Sequence, residues 1–400
     1  MGTTDLRIPR LPQAADATRA DPPPAATVFL RLRVLPPLTA YAASLLGHLL
    51  ILALLLPAGS GETVTNRLTA WDAQLYLQIA RFGYPHSFTY TPDGQLTGNN
   101  LAFFPLYPQT IRIVHTVTGT DWTSSAIVAS QAAMIAAMFL VHALIRRLYG
   151  PRTAVILLVL LAAAQPMSGA FFMAYSEPLF LATCTATLYA AHRRNWLLAG
   201  LAAFAAGMTR PAGCTAVAAL AVAAVLEARR HGFSWKPIVA TLAACTSTPI
   251  YLLWVGNRVG TLNAWFTIQQ AGWSTHWDWG ASFWQFLTWS LPTSSDWVPV
   301  SVAVMLLAIL AATAVTLLPS SRTWPPLLMY GVLIVALTIG QSNYFHCKPR
   351  LLAPAILFLI PAATALARAR GSVQIITLIG AALFGCWYSA YMLTTWHYAV

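Results

Sequence analysis

The chain carries eleven carboxylates among its 400 residues, so acid–base chemistry must draw on a short set. Asp72 stands near the start of a stretch running from Thr69 to Pro85. An ionised carboxylate there could take a proton from a hydroxyl, or, as Thr69-x-x-Asp72, close a capping box and complement a helix dipole. Glu177, in Tyr175-Ser-Glu-Pro-Leu-Phe180, precedes a proline suited to a first helical turn, and reads as a cap or as a contact to substrate. Arg210, in Gly207-Met-Thr-Arg-Pro-Ala-Gly213, lies in a long apolar region. A guanidinium there costs several kcal/mol unless paired or wetted, which points to a phosphate or a partner carboxylate. Lys348 and Arg350, in Gln341-Ser-Asn-Tyr-Phe-His-Cys-Lys-Pro-Arg350, suit an anion, one as a point charge and one as a hydrogen-bonding fork. His346 could add a donor there or be a satisfied interfacial residue.

These residues need elements to position them. At helical period Trp71, Leu75, Ile79 and Phe82 form an apolar stripe and Gln74, Gln78 and Arg81 a polar one, which predicts a helix lying along a membrane surface. Gly83 and Pro85 end it. Hydrophobic residues make up 58% of the chain, charged ones 8%, and mean hydropathy is +0.62, too apolar for a water-soluble globule. The fold expected is all-α, a polytopic transmembrane bundle in the lipid bilayer. A net charge of +12 would suit nucleic acid in a soluble protein. Here the arginines fall in short runs between apolar segments, so positive-inside topology accounts for them and no nucleic-acid partner is expected. Cys184, Cys214, Cys245, Cys347 and Cys386 show neither zinc nor disulfide spacing.

Residues 1–36 are aperiodic and read as a disordered cytoplasmic tail. The apolar run near 38–56 reads as a retained signal anchor, opening a single membrane domain over 37–400. Residues 58–123 contain no run long enough to span and form a first external loop, holding the Asp72 helix, a turn-rich piece from Tyr90 to Asn100 and a second interfacial helix within 101–115. Further crossings are expected near 124–145, 153–170, 178–191, 196–209, 212–227, 237–255, 298–318, 324–340, 351–367 and 372–394, eleven in all. In that count the basic clusters at 146–152, 192–194, 229–230, 322 and 368–370 all fall on the cytoplasmic side, with Asp72 outside. Residues 256–297 form a second external segment rich in tryptophan. Those rings suit an interfacial belt or a groove for a prenyl chain or a sugar face.

Several motifs, in order, resemble the PIG-V-like mannosyltransferases, the group of GT-C glycosyltransferases that includes GPI mannosyltransferase II and bacterial (actinobacterial-type) relatives. They are Trp71-Asp-Ala-Gln-Leu-Tyr-Leu-Gln-Ile-Ala80, Gly83-Tyr84, Asn100-Leu-Ala-Phe-Phe-Pro-Leu-Tyr-Pro108, Tyr175-Ser-Glu-Pro-Leu-Phe180, Thr209-Arg-Pro211 and Lys348-Pro-Arg-Leu-Leu352. The resemblance implies a GT-C-like enzyme of the cell membrane that takes mannose from a polyprenyl-phosphate carrier on the external face and inverts the anomeric centre. It implies Asp72 as catalytic base and Arg210, Lys348, Arg350 and His346 around the donor phosphate. Substrate contacts would come from Trp71, Gln74, Tyr76, Asn100, Phe104, Tyr107 and Glu177. No metal or other cofactor is needed for that chemistry, since side chains can balance the phosphate. The acceptor is a lipid, a glycan or a protein, and a partner subunit is compatible with the pattern. The rival readings are a transporter or lipid flippase, which predicts charges buried mid-bilayer and internal repeats, and a non-catalytic subunit of a glycosyltransferase complex. Arg210 alone reads as a buried charge, and no repeat is visible.

Overall fold

The computed structural model describes residues 33–59, 61–396 and 398. Most of the expected tail, 1–32, lies outside the described residues. Its last four positions, 33–36, are corrected, because they are helical and lead into α1 (Leu35–Leu55), which has prolines in its first turn. The first loop then supplies α2 (Val64–Leu68), α3 (Asp72–Phe82), the hairpin β1 (Thr89–Tyr90) and β2 (Leu96–Thr97), and α4 (Leu106–Thr118). The bundle continues with α5 (Trp122–Tyr149), α6 (Pro151–Val159), α7 (Glu177–His192), α8 (Trp196–Thr209), α9 (Cys214–His231), α10 (Trp235–Cys245) and α11 (Ser247–Val259). The tryptophan-rich segment folds as α12 (Ala264–Trp273), β3 (His276–Trp277) and α13 (Ala281–Thr293). After it come α14 (Trp297–Leu317), α15 (Pro325–Gly340), β4 (Gln341–Ser342), α16 (Lys348–Leu352), α17 (Ile360–Arg368) and α18 (Gly371–Thr394).

Each of the eleven expected crossings falls on helix, but they are not eleven helices of spanning length. Among the described residues six are long and apolar enough to cross a bilayer, or seven if Phe345–Leu352 and Ile356–Arg368, bent by 76° at their junction, count as one. Pro151–Ala164, Trp196–Thr209 and Pro325–Gly340 are shorter apolar helices. The bend between α16 and α17 frees backbone carbonyls, and the Tyr330 hydroxyl donates to one of them, Pro354 O, at 3.0 Å. Broken helices persist at membrane depth only where such partners exist. Residues of the basic clusters contact neighbours of other clusters at several points. Arg194 pairs with Glu227, the His192 ring stands edge-on to Trp324, and Arg152 donates to Gln374 Oε1 at 2.7 Å.

The α3 stripe needs correcting in phase. The buried face is Ala73, Tyr76, Leu77 and Ala80 together with Ile79, while Phe82 is exposed and Leu75 half-buried. Gln74, Gln78 and Arg81 are exposed as expected. In a membrane protein an outward apolar side chain meets lipid at no cost, so hydrophobicity alone does not separate inside from outside.

Gly331 lets α15 approach the broken segment, since a Cβ there would lie 2.3 Å from Leu357 Cβ. Gly331→Ala should destabilise the fold by roughly 1–3 kcal/mol, and Leu357→Gly, which removes the clashing Cβ, should recover part of it in the same chain. Thermal unfolding in detergent measures both, and a silent Gly331→Ala would refute the packing account.

Candidate active site

Asp72 is the first residue of α3, but it does not cap it. The Thr69 hydroxyl donates to Thr65 O at 2.8 Å, and the N-cap position is Trp71, which makes no side-chain cap bond. Trp71 takes φ 53°, ψ −117°, a conformation costly for a bulky side chain and one that concentrates at functional sites. The segment before it is held by Ala174 N donating to Leu68 O at 2.9 Å. The Asp72 carboxylate is thereby aimed at Arg350, with Oδ2 2.8 Å from Nη1.

Arg350 is 6% exposed. Its Nε lies 3.4 Å from Glu177 Oε1, and its guanidinium lies over the Tyr175 ring, 4.9 Å from the centroid, a cation–π contact. Glu177 opens α7 and is 1% exposed. Its Oε1 also stands 3.0 Å from Nη2 of Arg210, the residue that ends α8. Two carboxylates and two guanidinia thus form one chain, Asp72–Arg350–Glu177–Arg210, with balanced formal charge. The Tyr76 hydroxyl and Ser176 Oγ, 2.8 Å apart, tie α3 to the start of α7 beside it.

This cluster borders a cavity of about 490 Å³. Asp72, Arg210, Arg350, Tyr76 and Phe104 face it, together with Trp265, Trp273 and Trp277 from the tryptophan-rich segment. The backbone at 101–103 that carries Phe104 is gripped from α11 and α12: Tyr251 OH donates to Phe103 O at 2.7 Å, and Trp265 Nε1 to Ala102 O at 3.2 Å. Pairing of β3 with β4, His276 opposite Ser342 and Trp277 opposite Gln341, joins the tryptophan segment to the one that bears Arg350.

Other expected site residues stand elsewhere. Lys348 is 1% exposed, and its ammonium donates to Thr338 O at 2.8 Å and Gln341 O at 2.7 Å, holding the end of α15. It does not line the cavity. His346 is buried with its ring stacked on Tyr344. Tyr107 is fully buried, donating to Ala126 O at 2.9 Å and packing edge-on against Tyr76. Asn100 donates to Gln78 Oε1, Gln74 to Thr69 O, and Trp71 acts through its backbone. Tyr175, beneath Arg350, and Gln269, Asn343 and Tyr344, on the cavity wall, were not anticipated; the run of aromatic and amide residues before Arg350 was the signal for Asn343 and Tyr344.

Four of the other carboxylates expected outside have structural partners. Asp121 caps α5 and Asp296 caps α14 through side-chain bonds to backbone amides, and Glu62 pairs with Arg67. Burial pushes the Asp278 carboxyl up, but hydrogen bonds from Ser282 and Gly280 outweigh it and hold the group below its ordinary range. Among the described residues no three His, Cys, Asp or Glu side chains converge where they could hold a metal ion.

No family profile matches the chain, and no curated protein does. Solved structures do. The chain superposes on ArnT from Cupriavidus metallidurans bound to undecaprenyl phosphate with a TM-score of 0.52 at 17% identity, over 86% of this chain and 62% of that one. For ArnT in the apo state the TM-score is 0.51 at 17% identity, over 89% and 63%. The chain therefore spans less than two thirds of the length of these neighbours. A likeness of this kind shows the fold, an all-helical GT-C-like membrane bundle.

Removing one member of a buried ion network leaves its partner uncompensated, typically at roughly 3–5 kcal/mol. Glu177→Ala, which strands Arg210 and leaves Arg350 with Asp72 alone, should therefore lower the thermal midpoint far more than Asp72→Ala, whose carboxylate is partly exposed. Equal midpoints for the two variants would mean that the network is not the organising contact.

Proposed function

We propose that the chain is a membrane glycosyltransferase that transfers mannose from a polyprenyl-phosphate carrier to a hydroxyl of an acceptor, with inversion, at the external face of the cell membrane. The observation that carries this reading is the meeting of Asp72 with Arg350, Glu177 and Arg210 on a cavity walled by aromatic rings. The motif resemblance supplies the sugar, and the GT-C-like fold is compatible with a lipid-linked donor.

The residues fit each bond change. The acceptor hydroxyl gives its proton to the Asp72 carboxylate as its oxygen attacks the anomeric carbon from the face opposite the phosphate. The bond from that carbon to the phosphate oxygen breaks, and its electron pair leaves with the polyprenyl phosphate, which gains one negative charge. Arg350 and Arg210, both facing the cavity, receive that charge, in the way preorganised cations stabilise a leaving group. Glu177 holds both guanidinia in place, so its role here is positioning.

The transporter alternative predicts charges within the bilayer. The buried charges are more numerous than Arg210 alone, but Asp72, Glu177, Arg210 and Lys348 each stand at a helix end, which suits a site at a membrane boundary. With purified protein and polyprenyl-phosphate mannose, Asp72→Asn should reduce transfer by roughly 10² to 10⁴, the usual worth of a general base, while leaving carrier binding and thermal midpoint near those of the parent. Near-normal turnover in that variant would remove Asp72 as base; lipid movement across vesicles without transfer would replace the enzyme by a flippase.

A further inference from the structure

A second cavity, of about 730 Å³, lies between α8 and α10. Trp196 and Trp235, the first residues of those helices, stand at its mouth with Arg193, Arg194 and Lys236, so the two helices run side by side in the same sense. Its length is apolar: Leu197, Leu201 and Phe204 on α8 face Val239 and Ala243 on α10. The floor is closed because Gly200 lets the helices touch; a Cβ there would lie 3.0 Å from Ala240 Cβ. Leu197, Leu201 and Val239 are exposed, as expected of side chains that face lipid.

The charge at the mouth is uneven. Arg194 is taken up by Glu227, which also meets His231 at 3.3 Å. Neither Arg193 nor Lys236 forms an ion pair with any described carboxylate, and both are exposed. A slot that is cationic and tryptophan-flanked at one end and apolar along its length has the form of a lipid, with phosphate between the cations and an acyl chain below. Residues 197–204 give the slot roughly 10 Å of depth along α8.

We propose that this groove is a binding site for an anionic phospholipid, separate from the catalytic cavity. The two sites lie at opposite ends of α8, one at Trp196 and the other at Arg210, roughly 20 Å apart along a helix of that length. The lipid in the groove therefore belongs to the leaflet remote from the Asp72 cluster. That separation distinguishes it from a polyprenyl phosphate bound for transfer.

The test is native mass spectrometry of the full chain, delipidated in detergent and titrated with phosphatidylglycerol, phosphatidylcholine or undecaprenyl phosphate. The parent should retain phosphatidylglycerol in preference to phosphatidylcholine. Arg193→Ala with Lys236→Ala should weaken that binding roughly tenfold or more, from the usual worth of two basic residues near a lipid phosphate. Leu201→Trp, which fills the slot and leaves the cations, should weaken it as well. Unchanged phosphatidylglycerol binding in both variants, equal retention of phosphatidylcholine by the parent, or loss of undecaprenyl phosphate rather than phosphatidylglycerol in the variants would overturn the proposal. The measurement reads lipid binding without turnover, so it stands apart from the transferase reading.

Discussion

The guanidinium of Arg350 is the contact on which the arrangement depends. It touches Asp72 from the first loop and Glu177 from the start of α7, and Glu177 in turn engages Arg210 from the end of α8. Ions taken out of water lose several kcal/mol each unless their neighbours restore it. A balanced set of four, with an aromatic face beneath Arg350, meets that condition. α16 is short and bends sharply into α17 just past Arg350, and Lys348, the first residue of α16, ties down carbonyls at the end of α15.

Much of this was legible in the sequence, and the reason is scarcity. In a chain with so few charges, Asp72, Glu177, Arg210 and Arg350 stand out, and the structure brings all four together. Turn chemistry was legible as well: Thr91-Pro-Asp-Gly94 closes the β1–β2 hairpin, with Gly94 at φ 83°. Pairings were not legible, because residues 72 and 350 meet only through tertiary structure. Lys348 read as an anion ligand because a point charge beside the Arg350 fork suits a phosphate; its partner proved to be backbone carbonyl oxygen. The phase of the α3 stripe failed for a related reason, since Leu75 and Phe82 need not point inward when lipid lies outside. Crossing number is the weakest reading, since a run of apolar residues is the same in a full span, a half span and a bent pair.

The tryptophan segment shows that one composition can serve two places. Trp265, Trp273 and Trp277 line the cavity, and Trp277, Trp279, Trp284 and Trp289 are exposed. Residues of one type within one segment thus stand on the cavity wall and at the surface, and Trp277 does both. The β3–β4 pairing sets Trp277 opposite Gln341, with its ring edge-on to Trp279.

The lengths of the helices around the cluster set its depth. α7 has 16 residues and α8 has 14, so they rise roughly 24 and 21 Å at 1.5 Å per residue, short of the ~30 Å hydrocarbon layer. The 28 residues of α5 cover roughly 42 Å. Arg210, on the cavity wall at the end of α8, and Glu177, buried behind it at the start of α7, thus belong to helices shorter than the hydrocarbon layer. Bilayers thin beside short helices, so a lipid headgroup arriving there could descend toward the charges while its tail stays in hydrocarbon, and water could follow it in.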